Sequence, residues 1–376
     1  MRVLIAGAGI GGLAAARAML GAGHEVTVLE KAPAPRRGGG SVSLWSNGLA
    51  VLAGLGVDVA GAGHRLTAVE TRTASGRLVM TVDVERGGAL VQITRDRLLD
   101  VLTAGLPAGT LRFAAGVTRF EEHRDHVRVW TGDGGEHTAD LLIGADGVHS
   151  AIRAALFGAE PEPFTGVASF QGLVHAPVDL GARGVLIVGA SGYAGLSPAS
   201  GGLTQWFLDV PWPLADPAAD PVIMLKERYG GFASPIPELL DALASAEVRA
   251  YPHHRHRIPR EWGRRRTVLL GDAAHAMPPV LGLGANQALE DVRALRDALA
   301  DDPATAVRAY SRARRRRAVR ASRFASRALA LTGPQTLMQR ETPMRMSAAV
   351  PDRLMTAAFT ALHRAIGRPE AAQSPS

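Results

Sequence analysis

The chain contains no cysteine among its 376 residues. Disulfide bonds, thiolate metal sites and a cysteine nucleophile are therefore all excluded. Long apolar runs are also missing, since none approaches the roughly 20 residues that span a bilayer. The apolar start is interrupted by Arg17 and several glycines and has no basic leader of the kind that opens a signal peptide. We therefore expect a cytoplasmic protein with no membrane partner.

Lysine is almost absent: of the 42 lysine and arginine residues, only Lys31 and Lys226 are lysines. The remaining positive charge is arginine, and in an alanine-rich chain this indicates a coding bias, so no nucleic-acid partner is expected. In the acid-free segment 304–333 the positive charge is more concentrated than in the rest of the chain. It indicates either an anionic partner or, as we favour, a solvated helix that packs through its apolar face. That face would consist of Val307, Tyr310, Phe324 and Leu331.

The first thirty residues fit one strand–helix–strand unit. "RVLIAG" reads as a buried strand, and the motif G-x-G-x-x-G follows at Gly7, Gly9 and Gly12. These glycines permit a tight turn, close approach of the backbone to a pyrophosphate, and close helix packing. "HEVTVLE" is a second strand that ends at Glu30, where a carboxylate can accept hydrogen bonds from a ribose. It would repel a 2'-phosphate, so the site favours FAD or NAD over NADP.

Three segments further along the chain contain polar residues that could contact a ligand bound over this unit. Arg36 and Arg37 lie in a glycine-rich loop, where one of them pairs with the ligand or both are exposed charges. Arg95 stands at a strand–helix junction in "VQITRDRLLDVL", and "LLIGADG" is a buried strand that ends at Asp146 and Gly147. The carboxyl ends of parallel strands form the ligand-binding edge of such a sheet.

The segment "GDAAHAMPPVLGLGANQALED" starts where another buried strand ends, at Asp272. Pro279 stiffens the following loop and Gly282 and Gly284 open it, so backbone amides at the next helix start face a ligand. A carboxylate suits polyol hydroxyls, and a helix N-terminus suits a ring that becomes negatively charged, as reduced flavin does. The ligand is then expected to contact Asp272, Pro279, Gly282, Gly284, Ala285 and Asn286.

Residues 160–260 differ from the rest of the chain in their sequence pattern. Short apolar segments bounded by glycine and proline predict a mostly antiparallel sheet that is inserted into the first domain. Aromatic residues on it could form a substrate wall, namely Phe170, Tyr193 and Trp206. The predicted fold is α/β with an α+β insert: a Rossmann-like FAD-binding domain (1–70, 88–160 and 262–300), a substrate domain (71–87 and 161–261) and a C-terminal helical region (301–376).

With these motifs in place, the chain resembles the class A, single-component FAD-dependent monooxygenases, the aromatic hydroxylase family that includes salicylate and para-hydroxybenzoate hydroxylases. The segments on which this resemblance rests are "GAGIGG" with Glu30, "RDRLLDVL" with Arg95, "GADGVHSAIR" and "GDAAHAMPPVLGLGANQALED". The resemblance extends from Met1 to about Gly333. The resemblance implies that FAD is held by Gly7, Gly9, Gly12, Glu30 and Arg95, with Asp272 near its ribityl or phosphate region. It also implies that Asp146 and Gly147 serve both FAD and the nicotinamide cofactor.

The implied reaction uses NADPH or NADH to reduce FAD, and O2 then gives a flavin C4a-hydroperoxide that inserts one oxygen atom into an electron-rich aromatic or heteroaromatic molecule. His254 and Tyr193 are candidates for deprotonating a phenol, and no metal is expected. The nicotinamide should lack a domain of its own, because "GASGYAGLSPASGG" lies among antiparallel strands. A reductase or dehydrogenase acting on a C=C bond and a nonenzymatic anion-binding protein remain alternatives. The sequence leaves open a monomer or a homodimer.

Overall fold

The computed structural model describes residues 1–35, 37–86, 88–159, 164–175, 178–217, 219–246, 248–332 and 351–366. No helix in these ranges is long and apolar enough to cross a membrane. The helices are α1 (Ile10–Gly21), α2 (Ser46–Gly54), α3 (Arg95–Thr103), α4 (Ala151–Phe157), α5 (Pro221–Tyr229), α6 (Ile236–Ala242), α7 (Asp272–His275), α8 (Leu283–Asp301), α9 (Ala306–Thr332) and α10 (Asp352–Ile366). Single 3-10 turns occur at Ser200–Gly202, Leu243–Ser245 and Val280–Gly282.

A six-stranded sheet carries the nucleotide-binding motifs. In spatial order its strands are β18 (Gly263–Arg264), β19 (Thr267–Leu269), β12 (Leu141–Gly144), β1 (Arg2–Ala6), β2 (Glu25–Leu29) and β8 (Leu111–Arg112). All neighbours are parallel except β18 and β19. The carboxyl ends of β1, β12 and β19 therefore meet at one edge, although up to about 260 residues separate them along the chain.

Two small antiparallel sheets flank this one. The first consists of β3 (Ser41–Trp45), β7 (Leu90–Thr94) and β4 (His64–Leu66), and the second of β9 (Val117–Glu122), β10 (Val127–Thr131) and β11 (Glu136–Ala139). The loop before β3 is fastened to α3, because the Gly40 carbonyl accepts a hydrogen bond from the Arg95 backbone N–H at 3.1 Å.

A seven-stranded sheet forms the inserted domain. Its order is β17 (Arg249–His254), β13 (Phe164–His175), β16 (Leu203–Pro211), β15 (Gly192–Pro198), β14 (Arg183–Gly189), β5 (Ala68–Thr73) and β6 (Leu78–Asp83). Only the β14–β5 pair is parallel. The α/β fold with an antiparallel insert and C-terminal helices is thus confirmed, and "GASGYAG" is a hairpin between β14 and β15.

The two faces of this sheet differ in what covers them. One face packs on α5 and α6 and forms an apolar core that contains Phe170 and Trp206. Because side chains alternate along a strand, Ser169, Gln205 and Asp209 point to the opposite face. That second face lies toward the nucleotide-binding sheet and is called the inner face below.

Helix α9 packs along α8. Val307 and Tyr310 are buried as the amphipathic pattern predicts, and Phe324 is half-buried, while the side chain of Leu331 lies outside the description. The expectation of a wholly solvated arginine face is wrong at Arg314, which is only 2% exposed. Two acids on the buried side of α8 account for this, because a buried carboxylate needs a cation.

Candidate functional site

The first turn of the nucleotide-binding sheet needs glycine for steric reasons. Gly7 has φ of +102°, and a Cβ there would lie 2.5 Å from the Ala145 carbonyl oxygen. A Cβ on Gly12 would overlap the Gly7 carbonyl oxygen. Gly9 differs, because no atom lies within 4 Å of a Cβ placed on it. The chain itself does not require glycine at position 9, whereas a ligand in close contact with the start of α1 does.

Glu30 follows β2 and lies beside this turn. Its carboxylate accepts hydrogen bonds from the Ala8 N–H at 2.8 Å and the Ala32 N–H at 2.9 Å. The residue is therefore held at the edge of the sheet next to the phosphate-binding turn. This is the position in which the sequence predicts contact with the ribose.

The loop that follows β2 is tied to the N-terminus of α3. The Gly38 N–H donates to the Asp96 carboxylate at 2.9 Å, and the Arg37 guanidinium pairs with Asp100 at 2.7 Å. Arg37 therefore already has an acidic partner, while Arg36 lies outside the described residues. Arg95 is half-buried at the first position of α3, with its side chain against the backbone of Gly39.

Asp146 and Gly147 follow β12 directly behind the Gly7 turn. Burial raises the pKa of Asp146, although hydrogen bonds from Ser150 and from the Ile152 N–H act in the opposite direction. Its Oδ1 atom is buried and has no hydrogen-bond partner. Gly147 has φ of +83°. An unsatisfied carboxylate oxygen at this edge is free to accept a hydrogen bond from a ligand.

Asp272 is the first residue of α7, immediately after β19 and Gly271. Its side chain is exposed to solvent. Desolvation by the surrounding protein raises the pKa of Asp272, whereas the charges of His275 and His256 act to lower it. A Cβ placed on Gly284 would lie 3.7 Å from Oδ1 of Asp272, so this carboxylate faces the start of α8.

The start of α8 is joined to β3. Asn286 accepts a hydrogen bond from the Trp45 N–H at 2.9 Å and donates to the carbonyls of Ser43 and Gly282 at 2.8 Å each. Gly282 is left-handed, with φ of +61°, and a Cβ there would lie 2.8 Å from the Ser43 side chain. Pro279 is exposed in the loop before α8, and Ala285 is half-buried in the first turn of α8. Asn286 thus fixes the loop before α8 against β3.

A buried ionic network supports the Asp272 loop from behind. Asp291 accepts hydrogen bonds from the Gly271 N–H at 3.0 Å, from His275 at 2.6 Å and from Arg314 at 2.7 Å. Arg314 also pairs with Glu290. Burial alone would raise the pKa of Asp291, but His275 and Arg314 hold it below its ordinary value. Sequence reasoning missed this network, although two acids beside an apolar helix stripe were the available signal.

The inner face of the seven-stranded sheet contacts the nucleotide-binding domain at two points. Val167 belongs to one buried apolar cluster with Val280, in the turn before α8, and Leu329 of α9. At the other point, the Gln205 side-chain oxygen accepts a hydrogen bond from the Ser41 N–H at the start of β3. Inner-face residues between these two contacts, Ser169 and Asp209 among them, therefore lie over the region where β3 meets α8.

The aromatic residues proposed for a substrate wall divide between the two faces. Tyr193 is on the inner face, buried against Phe207 with ring centroids 5.2 Å apart, and burial raises its pKa. Phe170 and Trp206 lie in the core under α5 and α6, so they do not line the inner face. His254 ends β17 and stands edge-on to His149 at 5.6 Å. Within the described ranges no cluster of three or more His, Asp or Glu could hold a metal.

These residues fit FAD. The open space at Gly9 would accommodate a pyrophosphate beside the α1 amides, Glu30 stands where a ribose would lie, and the Asp272 carboxylate suits polyol hydroxyls. The backbone amides at the start of α8 lie at the far end, where a flavin ring would be. The order of these groups along the edge matches the order of the parts of FAD.

Comparison with known proteins agrees. Residues 1–325 match the model of the FAD binding domain family. The chain is 36% identical over 304 residues to an aurachin C monooxygenase/isomerase from Stigmatella aurantiaca, covering 77% of this chain and 78% of the relative. It is 34% identical over 344 residues to a 3-amino-4-hydroxybenzoate 2-monooxygenase from Streptomyces cremeus, covering 87% and 86%.

A solved structure matches over nearly the whole chain. The crystal structure of Klebsiella pneumoniae HpxO complexed with FAD and uric acid has a TM-score of 0.90 and 28% identity, covering 98% of this chain and 97% of that one. Together with the extent of the family match, this shows that the chain belongs to the FAD binding domain family, among the class A FAD-dependent monooxygenases.

Proposed function

We propose that the protein hydroxylates a small, electron-rich aromatic or heteroaromatic molecule with an ionisable OH or NH group, in the space between the start of α8 and the inner face of the seven-stranded sheet. The observation that carries this is the pair of contacts, Val167 in the cluster with Val280 and Gln205 with Ser41, which holds a partly polar sheet face over the flavin-ring end of the site. Bound FAD supplies the redox chemistry by accepting a hydride from NADPH or NADH and activating O2.

The chain's own residues bind, orient and shield. Gly7, Gly9 and Gly12 with Glu30 hold the adenosine and phosphate half of FAD, while Asp272 holds the polyol. Gly282, Gly284, Ala285 and Asn286 position the ring through the backbone at the start of α8. Arg95 also contributes to FAD binding, and NAD(P)H binds transiently near Asp146 and Gly147, which serve both cofactors. Preorganised amides and excluded water are the contribution that such a site makes to catalysis.

Two relatives support the substrate class. One is named for 3-amino-4-hydroxybenzoate, and the solved HpxO structure holds uric acid. Both compounds are small rings that gain electron density when an OH or NH group loses its proton. The transient mode of nicotinamide binding is supported by the hairpin at Gly189–Gly192, since in the described part of the chain no second G-x-G-x-x-G motif follows a strand and opens a helix.

The test is a substrate screen under labelled dioxygen. The holoenzyme is incubated with NADH or NADPH and a panel of hydroxylated and N-heterocyclic aromatics that includes 3-amino-4-hydroxybenzoate and uric acid. A substrate should stimulate NAD(P)H oxidation, and one labelled oxygen atom should appear in the product. Anaerobic turnover with another electron acceptor and no oxygen gained would instead identify a reductase or dehydrogenase.

A further inference from the structure

A buried chain of three side chains crosses the inner face. Ser169 on β13 lies opposite Asp209 on β16, and its hydroxyl donates to Oδ1 of Asp209 at 2.5 Å. On the other side of β13, Nε2 of His253 on β17 lies 2.8 Å from the same hydroxyl oxygen. All three residues are no more than 3% exposed. Three strands are therefore linked in the order Asp209, Ser169, His253.

From this geometry we infer that Asp209, Ser169 and His253 form a proton relay that takes the proton from the substrate's OH or NH group at His253 Nδ1 and delivers it to Asp209. The inference rests on the proposed function for its substrate. The sequence pattern does not indicate any residue of the relay; it indicates the neighbouring His254 instead.

The donor pattern permits transfer in only one way. A serine has one hydroxyl hydrogen, and while Asp209 is ionised that hydrogen is given to Asp209, so His253 Nε2 must carry the hydrogen directed at Ser169. Nδ1 of His253 is then the bare acceptor, and this atom is buried with no hydrogen-bond partner. A substrate hydroxyl, or a water that carries its proton, completes the chain at that atom.

The transfer balances without creating a buried cation. The substrate O–H or N–H bond breaks as Nδ1–H forms, Nε2–H breaks as a new Ser169 O–H forms, and the original Ser169 O–H breaks as Asp209 Oδ1–H forms. One proton passes from substrate to Asp209 and one negative charge passes to the substrate ring. His253 stays neutral and changes tautomer, which agrees with burial, reinforced by His254, lowering its pKa to about 4.

The terminal acceptor is suited to the task. Burial raises the pKa of Asp209 to about 7, with only the Ser169 hydrogen bond acting against it. Among the described residues no arginine, lysine or histidine acts on the Asp209 carboxylate through its charge. An uncompensated buried carboxylate costs stability, and such groups concentrate at functional sites. The other titratable groups around the relay are His254 on β17, Tyr193 on β15 and Tyr229 on α5, which donates to the Asp209 carbonyl.

The first test needs no substrate. Holoenzyme containing ¹⁵N-labelled histidine is followed by long-range proton–nitrogen correlation NMR from about pH 5 to about pH 9, and His253→Gln identifies the signals. At high pH we expect the Nε2–H tautomer. Once Asp209 is protonated it donates to Ser169, Ser169 donates to Nε2, and Nδ1–H should replace Nε2–H with a midpoint near 7.

Matched variants separate a relay from ordinary packing. Ser169→Thr keeps a hydroxyl and should keep the tautomer change, whereas Ser169→Ala and Asp209→Asn should abolish it. A single tautomer throughout the range in the wild type, or an unchanged transition in Ser169→Ala, overturns the relay. Because all variants are examined as FAD-loaded protein, flavin absorbance reports whether each has folded.

The second test uses whichever hydroxylated substrate the oxygen-labelling screen identifies. His253→Gln and Asp209→Asn should lower kcat by about 10²-fold, as for loss of a general base, with KM and the rate of FAD reduction close to wild type. Unchanged kcat in both variants contradicts the relay. If no panel compound gains labelled oxygen, the proposed function fails, whereas the NMR result still decides whether the relay exists.

Discussion

The buried Arg314 gives a quantitative prediction. Changing Arg314→Met removes the cation from Glu290 and Asp291, which are 1% and 0% exposed, while a similar length of side chain still fills the space. Removing one partner of a buried ion pair costs about 3 to 5 kcal/mol, because the remaining charge stays buried. The stability should therefore fall far more than after an ordinary surface substitution.

The remaining contacts set where in that range the loss falls. Asp291 keeps His275 and the Gly271 N–H, and Glu290 keeps Asn47 at 2.5 Å and Arg317 at 3.7 Å. Partial compensation by these groups places the expected loss near the lower limit, about 3 kcal/mol of unfolding free energy. Adding Glu290→Gln to Arg314→Met should recover part of it, because one fewer charge is then uncompensated.

The assay is urea unfolding at a fixed excess of FAD, since bound ligand itself shifts the apparent stability. Arg312→Met is the matched control, because Arg312 is exposed on the same helix and its loss should change stability by less than about 0.5 kcal/mol. If Arg314→Met destabilises the protein no more than Arg312→Met does, the account of the network is refuted.

Three further predictions concern the cofactor and pH. Asp272→Ala should sharply lower FAD occupancy, measured by flavin absorbance after gel filtration, while Asp297→Ala, which removes an exposed acid on α8, should not. Gly9→Ala should fold but bind FAD weakly by fluorescence titration, whereas Gly21→Ala, equally uncrowded at the end of α1, should bind normally; equal affinities would contradict a ligand at Gly9. Asp209→Asn should raise the unfolding free energy at pH 8 by on the order of 4 kcal/mol at most, because a carboxyl whose pKa is about 7 when folded and 3.8 when unfolded loses stability as pH rises between those values. The gain should disappear at about pH 4, and a gain independent of pH would contradict the assignment.

The parts of the site predictable from sequence are those set by local pattern. The β1–α1–β2 unit and the turn before α8 can be recognised in the sequence. In each of them glycine spacing, strand periodicity and terminal acids lie within about 30 residues of one another. Their meeting at one sheet edge then follows from parallel pairing.

The inner face was not predictable in the same way. Ser169, Asp209 and His253 come together only through the register of three strands, across sequence separations of 40 and 84 residues. Alternation shows that Phe170 and Ser169 point to opposite faces, but both faces are buried, so the sequence does not tell which one α5 and α6 cover. The burial of Arg314 could not be predicted for a related reason, since its acidic partners lie on another helix.

The position of Arg314 also bears on the order in which the chain folds. When residues 1–300 have left the ribosome, the nucleotide-binding sheet has all its strands, yet Glu290 and Asp291 still lack the cation that neutralises them. We expect this part of the chain to remain incompletely stabilised until α9 emerges and brings Arg314 against α8. A polypeptide that stops before residue 314 should therefore accumulate as a poorly folded, aggregation-prone species despite containing every cofactor-binding motif.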